Sequence, residues 1–290
     1  MTGSTGMRYS RNMPQKKKIL IIALAFGAVA LASLTFFFFN SRNVTLEEAA
    51  VAVSELVLAA EPKIEAPNYI EVLDGCAADF SGTCVNIRME ATTSAPAIGK
   101  LRTGTVLPVS RNTETDPTGR VWHKVEFNEW IRYPDRVAKD WYVAADQVRA
   151  FYDPGTTLLM PGDEPTTKRI VVDRSEQMLY AYDGEELAFK TTISTGHDLT
   201  PTPRGSFKIF KKTPSRYMQG PLPDVSDDYY DLPGVPWNMY FTAEGGAIHG
   251  AFWHTNFGQQ WSHGCVNVPL DTARELYEWA PVGTTVTVQD

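Results

Sequence analysis

The sequence predicts a mainly β protein: a small β-barrel and a second antiparallel β unit with one short helix, both following a single membrane-spanning helix. Three observations lead there. An uncharged run, Ile19 to Phe39, stands near the start; two stretches of short β-prone runs separated by Gly, Pro, Asn and Asp follow; one capped helical segment, ended by Pro281 and Gly283, lies close to the end. At 290 residues the chain exceeds one ordinary domain, so two folded units with connecting segments are expected.

Residues 1–18 form a basic tail, and residues 19–39 a helix roughly 31 Å long at about 1.5 Å per residue, enough to cross a hydrocarbon core of about 30 Å. Basic residues ahead of a span stay in the cytoplasm, which places everything from Asn40 onward outside the membrane. A cleaved signal peptide is the competing reading, with Ala30-Leu31-Ala32 as the small-residue site; the run is long for a signal and continues into Phe36 to Phe39, and export follows either way. Five of the 27 Lys and Arg residues precede Phe39, so the remainder carries 22 basic against 34 acidic residues, a net of −12. That balance disfavours nucleic acid, whose phosphates need a concentrated positive patch.

Residues 40–68 read as a juxtamembrane helix and linker: Leu46, Ala49, Val53, Leu56, Val57 and Ala60 fall at helical spacing, and Glu61-Pro62 and Ala66-Pro67 break it. Over 69–152, strands are expected at 84–88, 104–109, 121–125 and 141–143. In an exported chain with three cysteines, Cys76 and Cys84, with seven residues between them in a turn-rich segment, are expected to pair and leave Cys265 free. Val85-Asn86-Ile87-Arg88, Gly99-Lys100-Leu101, Trp122-His123-Lys124-Val125 and Trp141-Tyr142-Val143 together resemble a bacterial SH3-type domain, with 128–140 as an insertion. The resemblance implies wall binding or packing beside an enzyme, and His123 is expected to be structural.

Residues 153–167 are rich in Pro and Gly and read as a second linker. The unit 168–290 then opens with strands at 169–173, 177–182 and 187–195, the second pair turning at Asp183-Gly184, and another at 207–211. Thr213 to Trp237 is Pro-, Asp- and aromatic-rich without periodicity, which reads as a lid or substrate wall; Met218, Tyr229, Tyr230 and Trp237 could equally cover the sheet. Asp271 is the expected N-cap of a helix over 272–279, and a last strand spans 284–288.

The chemistry concentrates in Ile248-His249-Gly250-Ala251-Phe252-Trp253-His254 and Ser262-His263-Gly264-Cys265-Val266-Asn267, which hold three of the five histidines and the one cysteine of the second half. An ordinary thiol is only a few per cent ionised at neutral pH, so an imidazole that takes its proton makes it a nucleophile. Gly250 and Gly264 would let backbone N–H groups approach a substrate and shape an oxyanion hole.

These two motifs are similar to the signature of the L,D-transpeptidase catalytic domain, the YkuD-type fold, and the likeness extends from about Lys168 to Val288 through the strand hairpins, Thr200-Pro201-Thr202-Pro203-Arg204-Gly205 and the short helix. The resemblance implies an antiparallel β-sandwich that remodels peptidoglycan without a cofactor. It matches Cys265 to the nucleophile, His249 to its activating base, the Gly250 carbonyl to the group orienting that base, and Ser262, His263 and Gly264 to the oxyanion motif, with N–H donors at Gly264 and Cys265. His263 is the weaker candidate for the base. Trp253 and Asn267 match substrate-contacting positions, though Asn267 departs from the arginine many members carry; Tyr230 and Trp237 are further candidates for the substrate wall. Implied partners are donor and acceptor stem peptides, with carbapenem-type β-lactams as covalent inhibitors. A zinc site of His249, His254, His263 and Cys265 fits no common spacing. A sortase would need Thr-x-Thr-Cys and a later catalytic arginine, and papain-like wall endopeptidases place Cys before His. Water as acceptor would give an L,D-carboxypeptidase; an inactive wall-binding scaffold is the alternative outside enzymology.

Overall fold

The computed structural model describes residues 65–163, 165–222 and 227–290. The basic tail, the span 19–39 and residues 40–64 of the juxtamembrane segment lie outside the described residues. Among the described residues no helix is long and apolar enough to cross a membrane.

Seven strands come first: β1 (Tyr69–Glu71), β2 (Val85–Arg88), β3 (Ala97–Leu101), β4 (Val106–Thr115), β5 (Val121–Val125), β6 (Tyr142–Ala144) and β7 (Arg149–Phe151). They form one sheet in the order β3-β2-β6-β5-β4-β1-β7. β2 shows why: Val85 and Ile87 are buried while Asn86 and Arg88 alternate toward the other face. Cys76 and Cys84 are joined by a disulfide in the β1–β2 connection. The segment 128–140 leaves the sheet between β5 and β6 and carries a 3₁₀ turn, Pro134–Val137.

Ten more strands and one helix follow: β8 (Thr157–Leu158), β9 (Lys168–Asp173), β10 (Met178–Asp183), β11 (Glu186–Thr192), β12 (Gly205–Lys208), β13 (Lys211–Gln219), β14 (Asp231–Tyr240), β15 (Ala247–Gly250), β16 (Val266–Val268), α1 (Leu270–Trp279) and β17 (Thr285–Gln289). They make two five-stranded sheets, β11-β10-β9-β17-β12 and β16-β15-β14-β13-β8. Ile170, Leu179 and Val286 of the first share a core with Met239, Ile248 and Val266 of the second and Leu276 of α1, a sandwich-like arrangement. It is not wholly antiparallel as expected: β9 with β17 and β15 with β16 run parallel.

Three expectations need correction. The helix starts at Leu270 with Pro269 at its N-cap, so Asp271 lies within the first turn, where its charge favours the helix dipole without capping it. The linker 153–167 is partly structured, because β8 pairs with Lys211 and Lys212. The aperiodic segment 213–237 is mostly a long hairpin of β13 and β14. Its pairing slips between Arg216 and Met218, opposite Pro233-Gly234, and a bulge with prolines hides the two-residue alternation of a strand.

The first sheet abuts this hairpin. Ser215 Oγ donates to the Val106 carbonyl at 2.6 Å, and the Tyr217 ring enters the first sheet's core against Phe127 and Trp141. Gly234, at φ +72°, lies so close to Val106 that a Cβ there would sit 2.5 Å from its carbonyl oxygen. Residues Glu65–Asp290 thus form one compact unit.

Candidate active site

Parallel pairing of β15 and β16 sets His249 opposite Asn267 and Ile248 opposite Val266. Cys265, two residues before Asn267, lies beside the start of β15, and Cys265, His249 and Asn267 all line one cleft of about 670 Å³. Cys265 is the free cysteine of the described residues and is partly accessible, whereas His249 is 1% exposed.

His249 Nδ1 lies 3.0 Å from the Gly250 carbonyl oxygen. A carbonyl only accepts, so Nδ1 carries the proton and Nε2 keeps a lone pair. Burial lowers the His249 pKa to about 4; the Gly250 carbonyl opposes the shift and neighbouring His254 adds to it. Burial raises the Cys265 thiol above its ordinary value, against the pull of the Ala247 N–H and the Arg216 guanidinium. The resting pair is therefore neutral thiol and neutral imidazole. Such a pair transfers a proton as the sulfur attacks rather than beforehand.

The turn ahead of β16 is held from within. Ser262 Oγ donates to the Cys265 carbonyl at 2.5 Å and accepts from the Gly264 N–H at 3.1 Å. The Gly264 N–H, expected to be free as an oxyanion donor, is thus engaged by Ser262. Gly264 itself needs its glycine, since φ is +117°. Gly250 needs its own for another reason than the close approach to substrate expected: Pro236 and Ala273 would lie 2.9 and 3.1 Å from an added Cβ, so α1 can seat against it.

His263 lines the cleft, but its Nε2 is 3.0 Å from Asp228 Oδ2 and its ring stacks on Tyr230. Its bonding is that of a scaffold residue. Trp253 stands beside His249, ring centroids 5.7 Å apart, and faces the cleft. His254 Nδ1 accepts from the Asn256 N–H at 3.1 Å, so its proton sits on Nε2, 2.8 Å from the Asn267 amide. Chemistry then assigns the Asn267 oxygen to that contact and leaves its amino group as the buried, unpartnered end. Among the described residues, no group of three or more His, Cys, Asp or Glu is placed to share a metal.

Trp237 is a correction. It is 3% exposed and packs against Phe151 and Tyr277 in the sandwich core, because its place on β14 points it away from the cleft. Met218, Tyr229 and Tyr230 of the same segment do line the cleft. Asp228, Trp261 and the turn Glu244-Gly245-Gly246 also line it and escaped the sequence reading. Trp261, adjoining Ser262, carried a signal in its position; Asp228, 35 residues from its histidine partner, carried none.

A thiol and an unprotonated imidazole nitrogen in one peptide-sized cleft define a site able to perform acyl transfer. Residues 167–288 match the family model of YkuD, the L,D-transpeptidase catalytic domain. A curated Bacillus licheniformis protein described as an L,D-transpeptidase, YkuD, is 28% identical over 140 residues, covering 46% of this chain and 74% of its own length. An Enterococcus faecium L,D-transpeptidase crystal structure is similar at 29% identity and TM-score 0.39, over 43% of this chain and half of that one. An L,D-transpeptidase structure in complex with imipenem is similar at 19% identity and TM-score 0.40, over 77% of this chain and all of its own.

Proposed function

We propose that the protein is a peptidoglycan L,D-transpeptidase in which Cys265 is the nucleophile and His249 the general base. His249 Nε2 takes the thiol proton while sulfur attacks the carbonyl of the third residue of a tetrapeptide stem. The tetrahedral intermediate collapses as the protonated imidazole gives its proton to the departing amine of terminal D-alanine, leaving a thioester. The side-chain amine of a second stem then attacks, yields a 3→3 cross-link and frees the thiol. The Cys265 N–H and, once it leaves Ser262, the Gly264 N–H would hold the oxyanion; one such donor is typically worth about 3 kcal/mol. Trp253, Tyr230 and Asn267 line the donor's path.

The observation that carries this reading is the His249 tautomer, fixed by Gly250 with Nε2 free, in the same cleft as the free thiol and within the YkuD-matched segment. The run 19–39 supports anchoring by one helix with the enzyme facing the wall, and the strand pattern of 69–152 supports an SH3-type module beside it.

Cys265→Ala should abolish both turnover and the mass adduct left by a carbapenem, whose strained carbonyl acylates the same sulfur. An adduct persisting on the variant in intact-mass spectra excludes Cys265 as nucleophile. Product masses from muropeptides incubated with the protein separate the acceptors: dimer for an amine, tripeptide for water, and unchanged substrate for a wall-binding scaffold.

A further inference from the structure

The hairpin of β13 and β14 forms one wall of the cleft through Met218, Leu222, Tyr229 and Tyr230. What holds that wall comes from the other half of the unit. Arg136, in the 3₁₀ turn of the segment between β5 and β6, spans both flanks of the hairpin. Its Nη2 donates to the Gly220 carbonyl at 2.9 Å, and its Nη1 to the Tyr230 carbonyl at 3.2 Å and the Asp231 carboxylate at 3.1 Å. The guanidinium also lies between two rings, 4.3 Å from the centroid of Tyr133 and 4.5 Å from that of Tyr229.

Tyr133 adds two contacts to the β13 flank: its N–H donates to Gln219 Oε1 at 2.9 Å and its hydroxyl to the Pro221 carbonyl at 2.8 Å. Glu129 accepts the Tyr217 N–H at 2.7 Å and faces Arg216 at 3.4 Å. These contacts reach the reacting groups in one further step. The Tyr230 ring rests on Gly220, where a Cβ would come within 2.3 Å of it, and stacks on His263, two residues from Cys265.

We propose that the segment Glu129–Val137 is a brace that fixes the hairpin wall of the cleft, with Arg136 as its central positioning residue, so that the first β-rich half of the unit sets the affinity for the donor peptide. The proposal rests on the assigned transpeptidase reading for its substrate but not for its geometry. The planar guanidinium reaches acceptors on both flanks of the hairpin from two separate nitrogens; a lysine ammonium in its place keeps the charge but concentrates its donors on one atom and loses that span.

The test compares the full-length chain with Arg136→Ala, Arg136→Lys and Tyr133→Phe. Amide hydrogen exchange in 215–222 and 227–235 should speed up in Arg136→Ala, and less in Tyr133→Phe, while strands β9 and β10 keep their protection. KM for a tetrapeptide stem should rise about 10-fold in Arg136→Ala with kcat within about threefold, because charge-assisted contacts that only position the wall act on binding. Arg136→Lys should recover less than half of the loss. Hairpin exchange and KM both unchanged in Arg136→Ala would overturn the brace, as would a fall in kcat at constant KM. If the unmodified protein turns over no stem peptide, the transpeptidase reading fails while the exchange comparison still decides the brace; a variant too unstable to purify passes the decision to Tyr133→Phe.

Discussion

Two protons decide how Cys265 can react. The His249 proton is on Nδ1, because the Gly250 carbonyl accepts it, and the thiol keeps its own because burial disfavours the thiolate. With the imidazole pKa lowered to about 4, the ring is neutral across the physiological range. A preformed thiolate–imidazolium pair would alkylate at a constant rate through mildly acidic pH. Here the folded thiol pKa is raised, so the thiolate fraction grows only as pH climbs past the ordinary thiol value of about 8.5. The rate of Cys265 alkylation by iodoacetamide should therefore rise steadily from pH 6 to beyond the ordinary thiol range, and a plateau between pH 5 and 7 would refute the neutral pair. At this scale the sequence was legible where partners are neighbours in the chain: the His249–Gly250 contact needs one peptide bond. It was silent on Asp228 and misplaced Trp237, since which face of β14 a side chain occupies depends on a bulge that composition does not reveal.

At the scale of elements, the site rests on the parallel pair β15–β16 and on the helix that follows. Parallel neighbours need a long connection, and 251–265 supplies one without a helix, which returns Cys265 to the strand carrying His249. The helix α1 then closes over the pair: Ala273 and Leu270 come within van der Waals reach of the missing side chain at Gly250, and Leu276 is fully buried in the sandwich core. Leu276→Ala should cost about 2–5 kcal/mol of stability by leaving a cavity beneath α1, measurable as a lowered midpoint in urea. A midpoint within error of the parent's would mean that the helix contributes little to the core. Pro281 and Gly283 mark the end of the helix in the sequence, yet its start reads two residues late because Asp271 looks like a cap; Pro269, with φ −53°, already supplies the entry. The hairpin was hidden by Pro214, Pro233 and Pro236, residues that argue against a strand unless a bulge or an edge accommodates them.

For the whole molecule, the sequence divides at 153–167, while residues Glu65–Asp290 form one compact unit. The contacts that unite it are remote in sequence, among them Ser215 to the Val106 carbonyl, 109 residues away, Tyr217 in the first core, the Arg136 contacts, and Arg274 to Glu71 across 203 residues. None leaves a pattern in composition. Gly234 is a point of close backbone approach at the junction. It combines a left-handed φ of +72° with the Val106 carbonyl oxygen 2.5 Å and Thr105 Cγ2 2.6 Å from where a Cβ would be. Alanine there meets backbone on one side and adopts a conformation unfavourable to an L residue, a strain of about 1–3 kcal/mol. If the two halves are held as one cooperative body, the full-length parent should unfold in a single calorimetric transition, and Gly234→Ala should lower and split it, because the strain falls on the junction rather than on either core. A single transition at the parent's Tm in the variant would show that the junction yields without cost. Two transitions already present in the parent would show that the halves unfold separately.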